Sequence, residues 1–369
     1  MDTINQVNII EKTEELTKKQ KKQAKMSLPV TLSSFELVNV IGQGRYGTVL
    51  LVKKKDSGNF FAMKVIKKSL IKKRNLQHRI MTERNILTLC KSSKLITKLQ
   101  YSFQNRSNYF YLLEYCPGGD LAYYMQRKGK LTEKDAKFYA AQLILTLEFL
   151  HSQNIIYRDL KPENILIDKN GYFKLGDFGS AVQNITLEES QVLCGTPQYF
   201  APEMITREGH GKGVDLWALG CIIFELVFGV TPFEETTQAQ LYERIQNGKV
   251  FFDVNDDVKV TNYFKDLINK LLAKDPKERI GTKSFDDIKN HPWFNKFDWE
   301  GVINQTLPAP INTGVKKVSD VSNFNCTYTY QDTNNLNYDS TDCSSSSDEE
   351  DKKEITQDLV RKLLITVTK

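Results

Sequence analysis

The chain has 369 residues, of which 40% are hydrophobic and 26% charged, and its formal net charge is +6. That length holds a large domain or two lobes with separate cores, and the composition is that of an ordinary soluble globular protein. Six cysteines (Cys90, Cys116, Cys194, Cys221, Cys326 and Cys343) with no CxxC pair and no His–Cys cluster argue against zinc and against a disulfide framework. A reducing compartment fits them best, so a cytoplasmic setting is expected, with the nucleus also open. The lysine runs at 18–25 and 67–73 read as solvated helix faces, so no nucleic-acid partner is expected. No apolar segment at the N-terminus reads as a signal peptide, and Asp2 argues against N-myristoylation. The longest apolar run, Leu216 to Val230, is short for a membrane span and contains Glu225; it reads as a buried helix.

Along the chain, residues 1–34 form a Lys/Glu/Gln-rich extension with a helical stretch near 11–25, broken at Pro29. From Phe35 to Met63, β-branched and aromatic residues alternate with Gly42, Gly44, Gly47 and Gly58, the pattern of glycine-turned strands. Helical spacing appears at Ile80, Ile86, Leu87 and Cys90. Strand-like stretches follow at 98–103 and 109–115, and Pro117-Gly-Gly119 breaks the chain. Helical patterns then occupy 136–152, 214–228, 239–247 and 263–272. The expected architecture is α+β in two lobes: a small, mostly antiparallel β lobe (35–115) and a larger, mostly helical lobe (116–294), hinged at 114–120. Residues 295–369 form a tail. Its Asn/Ser/Thr/Asp-rich part, 312–354, cannot bury enough apolar surface to fold alone and should be flexible or wrapped on the surface. Ile355, Leu359, Leu363 and Val367 recur every fourth residue, one apolar stripe.

The chemistry concentrates in Tyr157-Arg-Asp-Leu-Lys-Pro-Glu-Asn164. Asp159 can accept the hydrogen bond of an attacking hydroxyl, Lys161 can neutralise charge on a moving phosphate, and Asn164 can ligate a metal through its amide oxygen. Gly42-Gln43-Gly44-Arg45-Tyr46-Gly47, followed by Thr48 and Val49, lets backbone lie close over phosphates. A GxGxxG run alone is weak, but a strand follows it here and not a helix, which removes the dinucleotide-binding alternative. Ala62 leaves room for a base two residues before Lys64, which can pair with phosphates. Glu83 on the next helix can hold Lys64, and Asp177-Phe-Gly179 offers a second carboxylate for a metal. Ala201-Pro-Glu203 follows, with Arg279 as a candidate buried partner for Glu203. Each motif is ordinary by itself; their order along one two-lobe pattern is not.

Over residues 35–294 the chain resembles the eukaryotic protein kinases, and within them the AGC group, especially the cAMP-dependent kinase catalytic subunit. The residues that carry this are 157–164, Phe138-Tyr-Ala-Ala-Gln142, Glu114-Tyr-Cys-Pro-Gly-Gly119, Leu193-Cys-Gly-Thr-Pro197 and His291-Pro-Trp-Phe294. Ser319-Asp-Val-Ser-Asn-Phe324 resembles the tail segment that lays an aromatic ring over the nucleotide site in that group. The resemblance implies a serine/threonine kinase using ATP and Mg²⁺ on protein substrates. Asp159 and Lys161 would act on the hydroxyl and the phosphoryl group, Asn164 and Asp177 on the metals, and Lys64 and Glu83 as an ion pair. Ile41, Val49, Ala62 and Leu166 would sandwich the adenine, whose edge meets the backbone of Glu114 and Cys116. Asp120, Glu163 and Glu225 would receive substrate arginines, which suit bidentate recognition. Leu193, Pro197 and Phe200 would line an apolar pocket for the residue after the phosphoacceptor. Thr196 matches the serine/threonine pattern.

Val192 stands where the family's activation-loop threonine is expected, and valine takes no phosphate. Arg158 and Arg79 remain as receivers of an anion. Three readings stay open: Ser190 or Thr186 carries the phosphate, Glu188 or Glu189 supplies permanent charge, or packing alone orders the loop. Within the AGC group, Gln198 and Asp215-Leu-Trp-Ala-Leu-Gly-Cys221 leave a phosphoinositide-dependent-kinase-like enzyme as the runner-up. A pseudokinase scaffold is the alternative from another class, although no catalytic part is missing. Control by a cyclic nucleotide would need a separate regulatory subunit.

Overall fold

The computed structural model describes residues 29–44, 47–74, 76–254, 258–333, 336 and 338. The expected helix at 11–25, the acidic serine run at 344–351 and the apolar stripe at 355–367 lie outside the described residues. Five strands form one antiparallel sheet in the order β1-β2-β3-β5-β4: β1 (Phe35–Gly44), β2 (Gly47–Lys54), β3 (Phe60–Lys67), β4 (Leu99–Gln104) and β5 (Asn108–Glu114). The period of two sends Phe61, Met63 and Val65 of β3 into the small-lobe core, which leaves Ala62 and Lys64 on the opposite face. Register shifts at Leu37/Asn39 and Val40/Gly42 bend β1 as it approaches the glycine turn. Two helices complete the lobe, α1 (Lys68–Lys73) and α2 (Gln77–Leu89). The inner face of α2 carries Ile80, Glu83, Ile86 and Leu87, so an acid is buried among apolar side chains.

The large lobe is built on α3 (Leu121–Lys128), α4 (Glu133–Ser152), α5 (Leu187–Ser190), α6 (Pro202–Thr206), α7 (Gly213–Phe228), α8 (Gln238–Asn247), α9 (Asn262–Leu271) and α10 (Phe285–Lys289). The long helices begin upstream of the first apolar residue, because Thr132, Thr237 and Thr261 cap α4, α8 and α9 with their hydroxyls. Helix α7 is apolar all round, and only Gly213 and Glu225 escape full burial. Two small antiparallel sheets, β6 (Ile155–Ile156) with β9 (Val182–Gln183) and the hairpin β7 (Ile165–Ile167) with β8 (Phe173–Leu175), carry the loops that hold the polar motifs. The architecture is the two-lobed α+β arrangement expected. No helix among the described residues is long and apolar enough to cross a membrane.

Beyond the helical lobe, α11 (Trp299–Asn304) and a wrapped segment lead to α12 (Cys326–Thr329) beside β1. Within 312–333 the chain bonds to the hinge and to α3. Asn323 donates to the carbonyls of Pro117 (3.2 Å) and Thr313 (3.0 Å), and Arg127 donates to the Ser322 carbonyl at 3.0 Å. The hinge admits this contact because Gly119 has φ +77° and no side chain: a Cβ there would lie 2.1 Å from the Asn323 carbonyl oxygen.

Candidate active site

A cleft of about 520 Å³ is lined from both lobes, by Gly47, Val49 and Lys64 above and by Asp159, Asn164 and Asp177 below. Its roof is the β1–β2 hairpin, closed by the Gly44–Gly47 pair. Gly47 has no alternative, since a Cβ would fall 1.7 Å from the Val65 carbonyl oxygen, whereas Gly42 would meet only ordinary contacts. Gln43, Gly44, Gly47 and Val49 line the cleft, Thr48 lies between the last two on β2, and Arg45 and Tyr46 lie outside the described residues. Ile41 joins Leu51 and Tyr115 in an apolar cluster with Val49, Ala62 and Phe324 packed against it. The Phe324 ring stacks on Tyr115 (centroids 5.7 Å, 15°), and the Tyr115 hydroxyl donates to the Asp320 carbonyl at 2.5 Å. The tail thus reaches the apolar side of the cleft. Glu114 ends β5, Cys116 is buried in the hinge, and Leu166 lies on β7 below.

Lys64 bridges the two lobes. Its Nζ donates to Glu83 Oε1 at 2.6 Å and to Asp177 Oδ1 at 2.8 Å. Burial alone would depress the lysine, but the Asp177 and Glu83 carboxylates outweigh it and hold the ammonium well above its usual range. Burial pushes the Glu83 carboxyl up against the pull of Lys64, while Lys64 holds Asp177 low even though burial opposes it. Asp177 sits at φ +40°, a strained conformation of the kind found at functional sites.

Asp159, Lys161 and Thr196 form a closed triangle: Lys161 Nζ is 3.4 Å from Asp159 Oδ2, and donates to Thr196 Oγ1 at 2.8 Å, which donates to Asp159 Oδ1 at 3.2 Å. Asn164 Nδ2 donates to the Asp159 carbonyl (2.8 Å) and carboxylate (3.1 Å), which commits the amide nitrogen and turns the amide oxygen elsewhere. Burial raises the Asp159 carboxyl, and Asp177 adds to this, against Lys161, Asn164 and Thr196. Gly195 (φ +102°) lets the loop close over this group, because a Cβ would stand 2.6 Å from the Arg158 carbonyl oxygen.

One fully buried carboxylate organises the catalytic loop from beneath. Asp215, near the start of α7, accepts from the amides of Tyr157 (2.9 Å) and Arg158 (2.8 Å) and meets His151 Nε2 at 2.8 Å. The Tyr157 hydroxyl donates to the Gly176 carbonyl, tying the loop to the segment before Asp177. The motif reading missed this role for Asp215; an acid opening an otherwise apolar helix was the available signal. Lys174 was missed as well. It is buried on β8 and its Nζ meets Glu114 Oε1 at 3.0 Å and the Lys94 carbonyl at 3.0 Å, so it links β8 to the hinge.

Among the residues expected to receive substrate arginines, Asp120 caps α3, its carboxylate accepting from the Tyr123 amide at 2.8 Å, so one oxygen is structurally committed. Glu225 accepts from the Tyr199 hydroxyl at 2.7 Å. Burial, with Glu163 and Glu234 nearby, pushes its carboxyl up to about 7 despite that bond. Burial also raises Asp120, and Glu163 adds to it. Leu193 and Pro197 are half-buried, and Phe200, 4% exposed, packs against the core of the large lobe. Glu203 receives Arg279 in a bidentate pair at 2.7 and 2.9 Å.

In the activation segment Thr186 and Glu188 are exposed. Ser190 is buried and its hydroxyl donates to the Leu187 carbonyl at 2.6 Å, while the Glu189 carboxylate is bonded to Thr186. Arg158 instead donates to two neutral carbonyls, Ser180 at 2.8 Å and Glu189 at 3.0 Å. Val192 is 38% exposed.

A paired carboxylate and carboxamide below a glycine roof, with a lysine between them, is an arrangement for moving a phosphoryl group. The pattern shared by protein kinase domains matches residues 35–294. The serine/threonine-protein kinase Sgk2 of Mus musculus is 39% identical over 301 residues, covering 81% of this chain and 81% of its own. Sgk1-A of Xenopus laevis is 38% identical over 299 residues (80% and 68%). Protein kinase 3 of Dictyostelium discoideum is 38% identical over 316 residues, but this chain spans only 34% of that protein. The chain belongs to the eukaryotic protein kinases, in the AGC group.

Proposed function

We propose that this chain is an active kinase that transfers the γ-phosphoryl group of ATP to serine and threonine hydroxyls flanked by arginine. The observation that carries the reading is the Asp159–Lys161–Thr196 triangle facing the Lys64–Glu83–Asp177 bridge across one cleft. In this reading Asp159 orients the substrate hydroxyl and accepts its proton, and Lys161 offsets charge on the transferring group. Lys64, fixed by Glu83, holds the phosphates of the nucleotide. Asn164 and Asp177 supply an amide and a carboxylate oxygen, the sparse hard donor set that suits Mg²⁺ shared with substrate phosphates. Mg²⁺ so held would neutralise charge on those phosphates. The apolar cluster of Ile41, Val49 and Ala62 with Leu166 takes the base, and Glu114 and Cys116 meet its edge.

The basic preference rests on Asp120, Glu163 and Glu225, because a guanidinium would relieve the burial of Asp120 and Glu225 and the repulsion each feels from Glu163. Gln198, exposed on the same loop, offers no charge and so weakens one distal preference. The reading includes protein substrates, no nucleic-acid partner, and a cytoplasmic or nuclear setting in keeping with the free cysteines. A separate regulatory subunit is a further partner in this reading. An arrayed peptide library with ATP and Mg²⁺, run beside Asp159→Ala, tests it. Arginine-containing serine and threonine peptides should be labelled by the wild type only. Labelling without arginine preference removes the basic specificity, and no labelling above the variant removes the kinase reading.

A further inference from the structure

The loop before Leu193-Cys194-Gly195-Thr196 has no hydroxyl at position 192, yet its path is well defined. Thr186 and Glu189 form a reciprocal capping box: Thr186 Oγ1 accepts from the Glu189 amide at 3.2 Å, and the Glu189 carboxylate accepts from the Thr186 amide at 3.2 Å. That box sets the single turn of α5. The turn ends against the lobe, where Ser190 is buried and its carbonyl accepts from the His210 amide at 3.0 Å. Gly209 (φ +107°) allows this approach, its would-be Cβ lying 3.2 Å from Ser190 Oγ.

The same turn presents the Glu189 carbonyl to Arg158 Nη1 at 3.0 Å. Carbonyls at the end of a helical turn are natural partners for a guanidinium. Arg158 Nε donates to Ser180, just past Asp177-Phe-Gly179, and its own amide is held by Asp215. One side chain therefore joins the catalytic loop, the metal-binding segment and α5. These are connections a loop phosphate would otherwise make, and here main-chain oxygens make them.

We propose that Thr186 and Glu189 are positioning residues whose capping box holds α5 so that the Glu189 carbonyl fixes Arg158, and that the kinase is active with no phosphate on this loop. The inference rests on the kinase reading above. Thr186 is exposed, so phosphorylation there is the competing account and the test separates the two. Wild-type protein is treated with phosphatase until mass spectrometry finds no phosphate on residues 180–196, and kcat and the KM for ATP are measured with an arginine-containing peptide. Activity should stay within about twofold of the phosphorylated preparation. Thr186→Asn keeps a capping oxygen and takes no phosphate, so it should match wild type, whereas Thr186→Val should lower kcat about tenfold with KM for ATP little changed. Glu189→Gln should be tolerated and Glu189→Ala should resemble Thr186→Val. The proposal is overturned if Thr186→Asn is as weak as Thr186→Val, or if dephosphorylated enzyme is inactive and recovers on rephosphorylation. If phosphorylated and dephosphorylated forms both lack transfer, the kinase reading itself fails.

Discussion

Two clusters of charge in the large lobe have opposite fates. Behind the activation segment, Arg279 is fully buried and its guanidinium is saturated: two bonds to Glu203, with the Ala273, Gly213 and Lys274 carbonyls taking the rest. At the substrate rim, Glu225, Glu163 and Asp120 share one sign, and none has a salt bridge among the described residues. The first cluster is complete without any ligand. In the second, Glu225 and Asp120 carry desolvation and repulsion from Glu163 that an incoming cation would relieve. Burial of charge marks structure where the partner is internal, and marks recognition where it is missing.

Breaking the closed pair should have the largest effect. Glu203→Ala leaves Arg279 charged, buried and unpaired, which should cost about 3–5 kcal/mol of stability in urea denaturation. If the loss is below about 1 kcal/mol, the pair is replaceable and the contrast fails. The open cluster should respond differently. Glu225→Gln keeps the shape and the Tyr199 hydroxyl contact while removing a strained carboxylate, so stability should hold or rise slightly. KM for an arginine-containing peptide should rise about 30- to 160-fold, the worth of a charged hydrogen bond of about 2–3 kcal/mol. An unchanged KM together with a fall in stability would make Glu225 structural.

The catalytic parts were legible because phosphoryl transfer fixes residue types at short spacings, as in Asp159, Lys161 and Asn164, and in Asp177 before Gly179. Helices were legible from apolar periodicity, with starts displaced by threonine caps. Three features were not. The grip of Asp215 on the Tyr157 and Arg158 amides and the Lys174–Glu114 pair join positions whose distance along the chain is set only by tertiary packing. Arg158 has main-chain partners, and since every residue carries a carbonyl no pattern of side chains announces them.

The open cluster should also show in the pH dependence. The Glu225 carboxyl is raised to about 7 in the fold from an ordinary value of 4.5. The folded chain therefore binds more protons than the unfolded one between these values, and this group's contribution to stability falls as pH rises from 4.5 to 7. Arginine binding needs the carboxylate, so KM for the basic peptide should fall as pH rises through 7, by up to about tenfold per unit on the acid side. Glu225→Gln should flatten both trends. A wild-type KM that is flat from pH 6 to 8 would remove the assignment.

The smallest effect is expected from a second closed pair that, unlike Arg279–Glu203, borders the cleft. Lys174 is buried, but its partner Glu114 is 30% exposed on its side chain, so water can take over the carboxylate when the lysine is lost. Lys174→Met fills the buried stem and removes the ammonium, and stability should change by less than about 1 kcal/mol. What it removes is the link between β8 and the hinge, whose backbone meets the base in the proposed reading. KM for ATP should therefore rise about three- to tenfold at constant kcat and constant peptide KM, because base binding acts equally on ground and transition states. Should kcat fall at unchanged KM for ATP, the pair serves the Asp177 segment that follows β8 and not the hinge. Arg279–Glu203 and Lys174–Glu114 would then differ in exposure alone.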